Sequence, residues 1–377
     1  MTSTQEIRNF DTPNSDDKFI TKSPSFTPKY NPLFVRQVNQ AQLLFAEAYI
    51  NGLPISDAAC LSWLTKATAF IYQYFPSLLI IDDWITKESD RLAEGSQELM
   101  EIQYNLPTQL FRLMLGETDI MYPKYTMALW EKGATTLQQA QIAMLDDLIA
   151  KAEITDGDTI LDIGCGWGSA ANYILQKFPN VTVTGLNLSH EQCTYIRHQA
   201  NQPNSALNSP RFNLVEADFN DVVLEQKFNR IISLGVFEHI GNLSRSFAKV
   251  ASLLAPEGKV LIHIISTNLP LNYWSPFIHK YIFPYGRVWR YDFIPQCNQH
   301  LQTSDRWYLN GTNYAKTLRA WLNNFDLHQD KIQKLDFAMP YPKFRRMWRL
   351  YLLWCIAYFE AKEGNILGNA QYLMTHS

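Results

Sequence analysis

The chain has 377 residues, of which 46% are hydrophobic and 18% charged, and its formal net charge is -3 at pH 7. This length and composition allow a substantial hydrophobic core in one large domain with an extension, or in two domains. The slightly acidic balance argues against nucleic acid as a partner. The five cysteines are scattered without a paired motif. Their spacing argues against a disulfide framework or a metal site and favours a reducing compartment.

The first residues of the chain are polar. Residues 1–30 are rich in Thr, Ser, Asp, Asn and Pro without periodicity, so we predict a disordered tail there. The apolar stretch 58–81 is interrupted by Lys66 and Pro76, and 350–359 is half as long as the roughly 20 residues of a spanning helix. We therefore predict a cytoplasmic protein without an integral membrane segment. Transient contact with a membrane surface and a homodimer are both compatible with this pattern.

Helical patterns come next along the chain. Residues 35–115 show helical periodicity with turn signals at 51–54 and at Gly95, which predicts a helical cap over 31–120. In 137–152 the apolar residues recur at three- and four-residue steps, as is typical of an amphipathic helix. Four basic residues near the C-terminus are interpreted as a solvated helix face: Lys343, Arg345, Arg346 and Arg349.

From residue 159 onwards, short apolar runs alternate with helical patterns. The runs predict strands at 159–163, 181–188, 212–217, 230–234 and 259–266. Strands that alternate with helices form βαβ units, and such units build a parallel sheet with both faces covered. The sequence therefore predicts an α/β fold.

A glycine loop follows the first predicted strand. Asp162 precedes Gly164, Gly166 and Gly168, and a helical pattern follows, which is where open α/β sheets bind ligands. In the dinucleotide fingerprint the third glycine comes one residue later, and a carboxylate there would repel a diphosphate. Asp162 would instead attract the ammonium and sulfonium groups of S-adenosylmethionine. The loop therefore favours this cofactor over NAD.

The ends of the next two predicted strands carry candidate nucleoside ligands. Asn187 ends the second strand and Gln192 lies in the following turn, where amide groups can bond ribose hydroxyls. Asp218 and Phe219 follow the third strand. A carboxylate there can accept from an adenine amino group while an aromatic ring packs on the base. A surface acid beside a core phenylalanine is the alternative interpretation of this pair.

Glu238 and His239 follow the fourth predicted strand, next to the glycine loop. Because histidine titrates near neutral pH, it can take the proton from an amine that is to be methylated. The alternative is a helix N-terminal pair in which the acid stabilises the helix dipole. His263 on the fifth strand is interpreted as either a buried core residue or a donor in the pocket.

Several segments resemble the cyclopropane fatty acid synthase superfamily of S-adenosylmethionine-dependent methyltransferases. They are 161–168 (LDIGCGWG), 237–239 (FEH), and 124–130 (KYTMALW) followed by 136–140 (TLQQA). Features of the coclaurine N-methyltransferase-like branch are 103–107, 128–130 with 143–145, and 311–317 followed by 321–322. The resemblance runs from about residue 103 to the C-terminus. It implies a Rossmann-like class I methyltransferase sheet with an N-terminal helical cap, helical insertions and S-adenosyl-L-methionine as cofactor.

The resemblance also implies domains and roles. After the tail (1–30) and the cap (31–120) it implies a methyltransferase domain at 121–377, with a substrate-covering insertion at about 267–335. It implies that Tyr125 and Thr126 close over the cofactor. Four residues are implied as active-site candidates: Glu238, His239, His263 and Tyr314.

Two acceptors are left open by the resemblance. The lipid synthases hold a bicarbonate base with a glutamate, a histidine, a tyrosine, a backbone amide and a cysteine. The first four are matched by Glu238, His263, Tyr314 and Ile265, whereas Met127 occupies the position of the cysteine. The coclaurine-like enzymes carry a further glutamate, and that position is Gly235 here.

We predict N-methylation of a small amine, with His239 and Glu238 assisting deprotonation. The alternative is bicarbonate-assisted methylene or methyl transfer to an unsaturated lipid. A binding protein that keeps the cofactor fold without catalysis is a third hypothesis. No metal site is predicted.

Overall fold

The computed structural model describes residues 32–74, 91–93, 106–268, 275–284 and 286–377. The predicted tail of residues 1–30 lies outside the described residues, as does most of the 103–107 motif.

The described residues form one central sheet. Its strands are β1 Thr159–Ile163, β2 Thr182–Asn187, β3 Phe212–Glu216, β4 Phe228–Leu234, β5 Leu254–Thr267, β6 Trp289–Arg290, β7 Leu301–Leu309 and β8 Leu367–His376. Their order is β3-β2-β1-β4-β5-β8-β7, with β6 paired to β5. Strands β1 to β5 pair in parallel, whereas β8 is antiparallel to β5 and β7. The predicted α/β fold is thereby confirmed.

Helices cover both faces of this sheet. They are α1 Pro32–Ile50, α2 Asp57–Tyr74, α3 Thr108–Leu115, α4 Leu137–Lys151, α5 Ser169–Lys177, α6 His190–Ala200, α7 Leu243–Leu253, α8 Pro276–Tyr281, α9 Thr312–Leu327, α10 Gln329–Ile332 and α11 Tyr341–Glu360. The side chains of Thr136, Ser189 and Asn242 each accept a hydrogen bond from the backbone N–H three residues ahead. These polar side chains therefore cap the N-termini of α4, α6 and α7.

The N-terminal helices share a core with the C-terminal helix α11. The ring of Phe45 in α1 lies 6.1 Å from that of Trp354 in α11, measured between centroids. Arg349 of α11 forms ion pairs with Asp57 at the start of α2 and with Asp326 in α9. Because α1 and α2 bury their apolar faces on α11, these three helices stabilise one another.

The basic residues near the C-terminus do not form a solvated face. Besides the ion pairs of Arg349, Arg345 lies 2.9 Å from Asp326. The guanidinium of Arg346 donates to the backbone carbonyls of Tyr49 and Leu53. The prediction of a solvated face is wrong for these three arginines, since they connect α11 to neighbouring elements.

The span 267–335, predicted as a substrate-covering insertion, contains a strand of the central sheet. Strand β7 pairs with β8 along the edge of the sheet, so an uninterrupted insertion is not observed. Segments on either side of β7 do contribute to a cavity described below. None of the described helices is long and apolar enough to cross a membrane.

Candidate active site

The carboxyl ends of β1, β2, β3 and β4 surround a first cavity of about 1170 Å³, including its open mouth. Nine of the ten predicted cofactor residues lie in its wall: Tyr125, Thr126, Asp162, Gly164, Gly166, Asn187, Gln192, Asp218 and Phe219. Gly168 is the exception.

Two glycines of the loop serve different purposes. Gly164 has a φ of +72°, and a Cβ at this position would overlap the side chain of Val236. The backbone therefore passes too close to its neighbour for any side chain. Gly168 has a φ of +76°, and its Cβ would lie 3.2 Å from Leu207 and 3.3 Å from Ile196. Gly168 thus permits close packing of α5 against α6 and is not in the cavity wall, so its role toward the cofactor stays a prediction.

Asp162 lies at the end of β1 and is buried. Burial raises the pKa of Asp162 to about 7. Within the described part of the chain, its Oδ2 has no hydrogen-bond partner, and neither do Thr126 Oγ1 and Trp167 Nε1. All three residues line the first cavity. Because a buried polar atom without a partner is costly, these atoms favour binding of a polar ligand.

Asn187 and Gln192 form a pair in the cavity wall. The Nδ2 of Asn187 donates to the carbonyl oxygen of Gly166 and to Oε1 of Gln192, each at 2.9 Å. The side chain of Ser189 caps α6 and fixes the backbone of Gln192. The amide nitrogen of Asn187 is therefore engaged within the protein, where it connects the glycine loop to α6.

Asp218 and Phe219 both line the first cavity. Oδ1 of Asp218 accepts hydrogen bonds from the backbone N–H and the Nδ2 of Asn220, each at 2.8 Å. The ammonium group of Lys249 lies 5.2 Å from the centroid of the Phe219 ring and donates to the Phe219 carbonyl at 2.6 Å. Their role toward an adenine ring stays a prediction.

A second cavity of about 530 Å³ adjoins the first. Its wall contains all four predicted catalytic residues: Glu238, His239, His263 and Tyr314. Four residues line both cavities: Tyr125, Thr126, Gly235 and His239. The two cavities therefore meet at these four residues.

Glu238 lies in the 3-10 turn Phe237–His239 that follows β4. Its Oε1 accepts a hydrogen bond from the backbone N–H of Ile265 at 2.7 Å. Its buried Oε2 has no partner among the residues described. Burial raises the pKa of Glu238 to about 7, although the bond from Ile265 opposes this shift. The Ile265 amide, which the resemblance implied as a ligand of bicarbonate, is thus engaged by Glu238.

His239 is partly buried at the junction of the cavities, where its ring lies 6.0 Å from the ring of Phe283. Burial and the nearby guanidinium of Arg287 lower the pKa of His239 to about 4. Its imidazole is therefore neutral at physiological pH. As far as the structure describes the chain, Nδ1 of His239 has no hydrogen-bond partner.

His263 on β5 is 1% exposed and its Nε2 lies 3.0 Å from Nδ2 of Asn369. With this amide donating to Nε2, the imidazole proton resides on Nδ1. Nδ1 has no partner in the described ranges, so it is an available donor in the cavity wall. Burial and the positive charges of Lys124 and Lys151 lower the pKa of His263 to about 3.

Sequence reasoning assigned no role to Lys124, which lines the first cavity. Its ammonium group is buried and donates to the carbonyl oxygens of Thr126 at 3.3 Å and Met127 at 2.5 Å. Burial lowers the pKa of Lys124 to about 7. Its place in the 124–130 motif, directly before Tyr125, was the signal that could have identified it.

Phe283, Arg287 and Asn369 in the wall of the second cavity were also missed. Arg287 is 1% exposed, and its backbone N–H donates to the carbonyl of Glu238 at 2.7 Å. No periodicity or spacing identifies these residues, because each reaches the cavity only through the tertiary fold. Among the described residues, no group of three or more His, Cys, Asp or Glu is arranged to hold a metal ion.

Residues 93–368 match the family model described as mycolic acid cyclopropane synthetase. The chain belongs to this family of S-adenosylmethionine-dependent methyltransferases. The cyclopropane-fatty-acyl-phospholipid synthase of Escherichia coli (strain K12) is 34% identical over 264 residues, which are 69% of this chain and 64% of that protein. The (S)-coclaurine N-methyltransferase of Papaver somniferum is 24% identical over 298 residues, 76% of this chain and 81% of that protein. The chain thus spans less than two thirds of the Escherichia coli relative.

Solved structures agree with this assignment. A coclaurine N-methyltransferase bound to N-methylheliamine and SAH has a TM-score of 0.77 at 20% identity, covering 89% of this chain and 99% of that chain. At this identity the likeness shows the fold alone. The cyclopropane synthase MmaA2 from Mycobacterium tuberculosis has a TM-score of 0.64 at 25% identity, and the match covers 77% of this chain and 100% of that chain. The predicted family and the predicted fold class are confirmed.

Proposed function

We propose that this protein transfers a methyl group from S-adenosylmethionine to the nitrogen of a small amine, with Glu238 and His239 handling the proton. One observation carries this proposal. His239 lines both cavities, and among the described residues its Nδ1 has no hydrogen-bond partner. A base at the junction can reach an acceptor in the second cavity while that acceptor faces the first.

The first cavity fits the cofactor. The unpartnered carboxylate oxygen of Asp162 suits the ammonium group of S-adenosylmethionine, and the open space beside Gly166 in the glycine loop leaves room for close approach to the backbone. Bound there, the cofactor supplies an electrophilic methyl group on a sulfonium centre. Relatives of both kinds, cyclopropane synthases and N-methyltransferases, support this part of the proposal.

The second cavity suits an amine. The aromatic rings of Tyr125, Phe283 and Tyr314 are in its wall and can stabilise a cationic nitrogen through cation–π contacts. Glu238, with a pKa of about 7, ionises in the physiological range and attracts an ammonium group. His239 is neutral there, so its lone pair can accept a hydrogen bond from the amine, while the carboxylate of Glu238 is the stronger base for the proton that the amine must lose.

A second candidate function is alkylation of an unsaturated lipid with bicarbonate as the base. It is supported by the available Nδ1–H donor of His263 and by Tyr314 in the same cavity, which together suit an anion. It is opposed by Met127, which is fully buried where the resemblance expects a cysteine. The bond between Glu238 and Ile265 also removes one expected donor.

The test is incubation with methyl-labelled S-adenosylmethionine and separate pools of small amines and of vesicles made from unsaturated phospholipid. We expect label in the aqueous amine fraction, lost in the His239→Ala variant. Label in the extracted lipid would select the second candidate instead. Absence of label from both pools, with no binding of SAH, would contradict methyl transfer altogether.

A further inference from the structure

Residues 91–93, which we call the wall segment, are held by the side chain of Asn220. Its Oδ1 accepts hydrogen bonds from the N–H groups of Leu92 at 2.7 Å and Ala93 at 3.1 Å, and its Nδ2 donates to the carbonyl of Ala93 at 3.2 Å. One amide side chain thus satisfies three backbone groups of a segment more than 120 positions away. Such an arrangement reproduces the pairing that a neighbouring strand would provide.

The other edge of the wall segment is fixed as well. The backbone N–H of Gly241 donates to the carbonyl of Leu92 at 2.7 Å, and Ala93 forms an antiparallel bridge with Ile240. The side chain of Leu92 is buried in the core cluster that contains Phe247. The wall segment therefore connects the loop after β3 with the loop after β4.

This segment borders the first cavity at the residues predicted to hold adenine. Ala93 lines the cavity together with Asp218 and Phe219. Nδ2 of Asn220 also donates to Oδ1 of Asp218 at 2.8 Å, and Arg91 lies 3.7 Å from Oδ2 of the same carboxylate. The amide of Asn220 therefore fixes both a predicted ligand and the segment beside it.

We propose that the wall segment encloses the nucleoside end of the cofactor and that Asn220 is the positioning residue that holds it there. This inference rests on the proposed function of the first cavity. Burial of the flat aromatic faces of adenine is favourable in proportion to the area removed from water. By fixing the wall segment, Asn220 keeps that area covered, so it controls the affinity and residence time of the cofactor through Ala93 and Asp218.

The first test is the Asn220→Ala variant, titrated calorimetrically with SAH. We expect about tenfold weaker binding, the size of one or two net hydrogen bonds. SAH should dissociate faster, and KM for S-adenosylmethionine should rise while kcat changes little. The control is Asn201→Ala, which removes an exposed asparagine at the end of α6 whose amide donates to the carbonyl of Arg197. This control should bind SAH like the parent protein.

Hydrogen exchange of peptides that contain residues 91–93 adds a readout at the segment itself. In the parent protein SAH should slow exchange of the Leu92 and Ala93 amides, because the wall segment and the bound SAH stabilise each other. In Asn220→Ala these amides should exchange faster and respond less to SAH. Equal exchange in parent and variant, with or without SAH, would overturn the inference.

The Asn220→Asp variant distinguishes release of the wall segment from a general loss of protein stability. It keeps the acceptor for Leu92 and Ala93, loses the donor to Ala93, and adds a carboxylate beside Asp218. We expect weak SAH binding at pH 7.5, where the new carboxylate is ionised and repels Asp218. Repulsion from Asp218 should raise the pKa of the new carboxyl above the ordinary value of about 3.9, so at pH 4 much of it is protonated and can donate again. The affinity relative to the parent at the same pH should then recover.

Three outcomes are decisive. If the parent binds SAH and both variants match it at every pH, the role of Asn220 is wrong while the cofactor site stands. If both variants are weaker but Asn220→Asp shows no recovery at low pH, the donor role of the amide is wrong. If the parent binds no SAH, the proposed function fails and this inference fails with it.

Discussion

The two adjoining cavities are assembled in different ways. The first is built from strand ends that follow one another along the chain, so that Asp162 in β1, Asn187 in β2 and Asp218 after β3 meet at one edge of the sheet. The second combines Glu238 with His263 of β5 and with Tyr314 of α9. A site built from consecutive strand ends follows from topology, whereas a site built across the sheet depends on how distant elements pack.

The cavities also differ in their charge. Both contain a buried acid whose pKa is raised to about 7, Asp162 in the first and Glu238 in the second. Each cavity also has a buried basic side chain in its wall, Lys124 in the first and Arg287 in the second. Burial lowers the pKa of Lys124 to about 7, whereas Arg287 lowers the pKa of the neighbouring His239. The two acids therefore have basic neighbours of different kinds, an ammonium group in the first cavity and a guanidinium in the second.

The largest expected effect concerns the backbone of the first cavity. In Gly164→Ala the new Cβ would overlap Val236, and a φ of +72° would add strain. We expect loss of measurable SAH binding by calorimetry while circular dichroism keeps its native shape. The control is Gly157→Ala, since Gly157 also has a positive φ, of +92°, with open space around its Cβ in the described structure. If both variants bound SAH equally well, the loop would not be the cofactor site.

The second prediction addresses the proton chemistry of the second cavity. His239→Ala and Glu238→Gln should each lower the rate of amine methylation by on the order of 10² to 10⁴, the usual share of a general base. Glu216→Gln is the control, because Glu216 is an acid outside both cavity walls whose partners are His190 and Arg197. An unchanged rate in both active-site variants would exclude the amine mechanism.

The pH profile distinguishes the two residues. Ionised Glu238 is required in this mechanism and its pKa is about 7, so kcat/KM should fall as pH decreases through 7. Glu238→Gln should lose this limb, whereas His239→Ala should keep it at a lower rate. Because the pKa of His239 is about 4, its titration gives no limb near neutrality. A limb that persists in Glu238→Gln would assign it to another group.

The same contrast explains what could be predicted from the sequence. The glycine loop, Asn187 and Asp218 could be predicted because strand ends and loops are local patterns. Arg287 and Asn369 could not, because their contacts with Glu238 and His263 arise from folding of segments 49 and 106 positions apart. Gly168 has a positive φ and packs against Ile196, and the motif alone does not distinguish this packing from ligand contact.

The third prediction is proton release in the first cavity. If the cofactor's ammonium group pairs with Asp162, binding lowers the pKa of this carboxyl from about 7, so SAH binding should release a proton. Affinity should then rise about tenfold from pH 6 to 8 and level off above. Calorimetry in buffers of different ionisation enthalpy measures this release, and Asp162→Asn should abolish it. An affinity that does not change with pH would place the ammonium group elsewhere.

The smallest expected effect is at Tyr314, which decides between the two acceptors. If the second cavity held bicarbonate, Tyr314 and His263 would donate to it, and Tyr314→Phe would leave a buried anion short of a donor. Activity would then fall sharply, and added bicarbonate would partly restore it by mass action. In the amine mechanism the cavity needs no anion, so Tyr314→Phe should cost less than about tenfold, the size of one hydrogen bond. Bicarbonate should have no effect.

The control for this comparison is Tyr308→Phe. It removes a buried hydroxyl that has no partner in the described structure and lies outside both cavity walls. Assays of the parent and both variants in buffer freed of carbon dioxide, with and without added bicarbonate, separate the mechanisms. The Ile265 amide already donates to Glu238, and Met127 stands where the resemblance expects a cysteine. We therefore expect the result of the amine mechanism, in which Tyr314→Phe costs less than about tenfold in activity and bicarbonate has no effect. Dependence on bicarbonate in the parent or in Tyr314→Phe would reverse the choice of acceptor while leaving the first cavity's role unchanged.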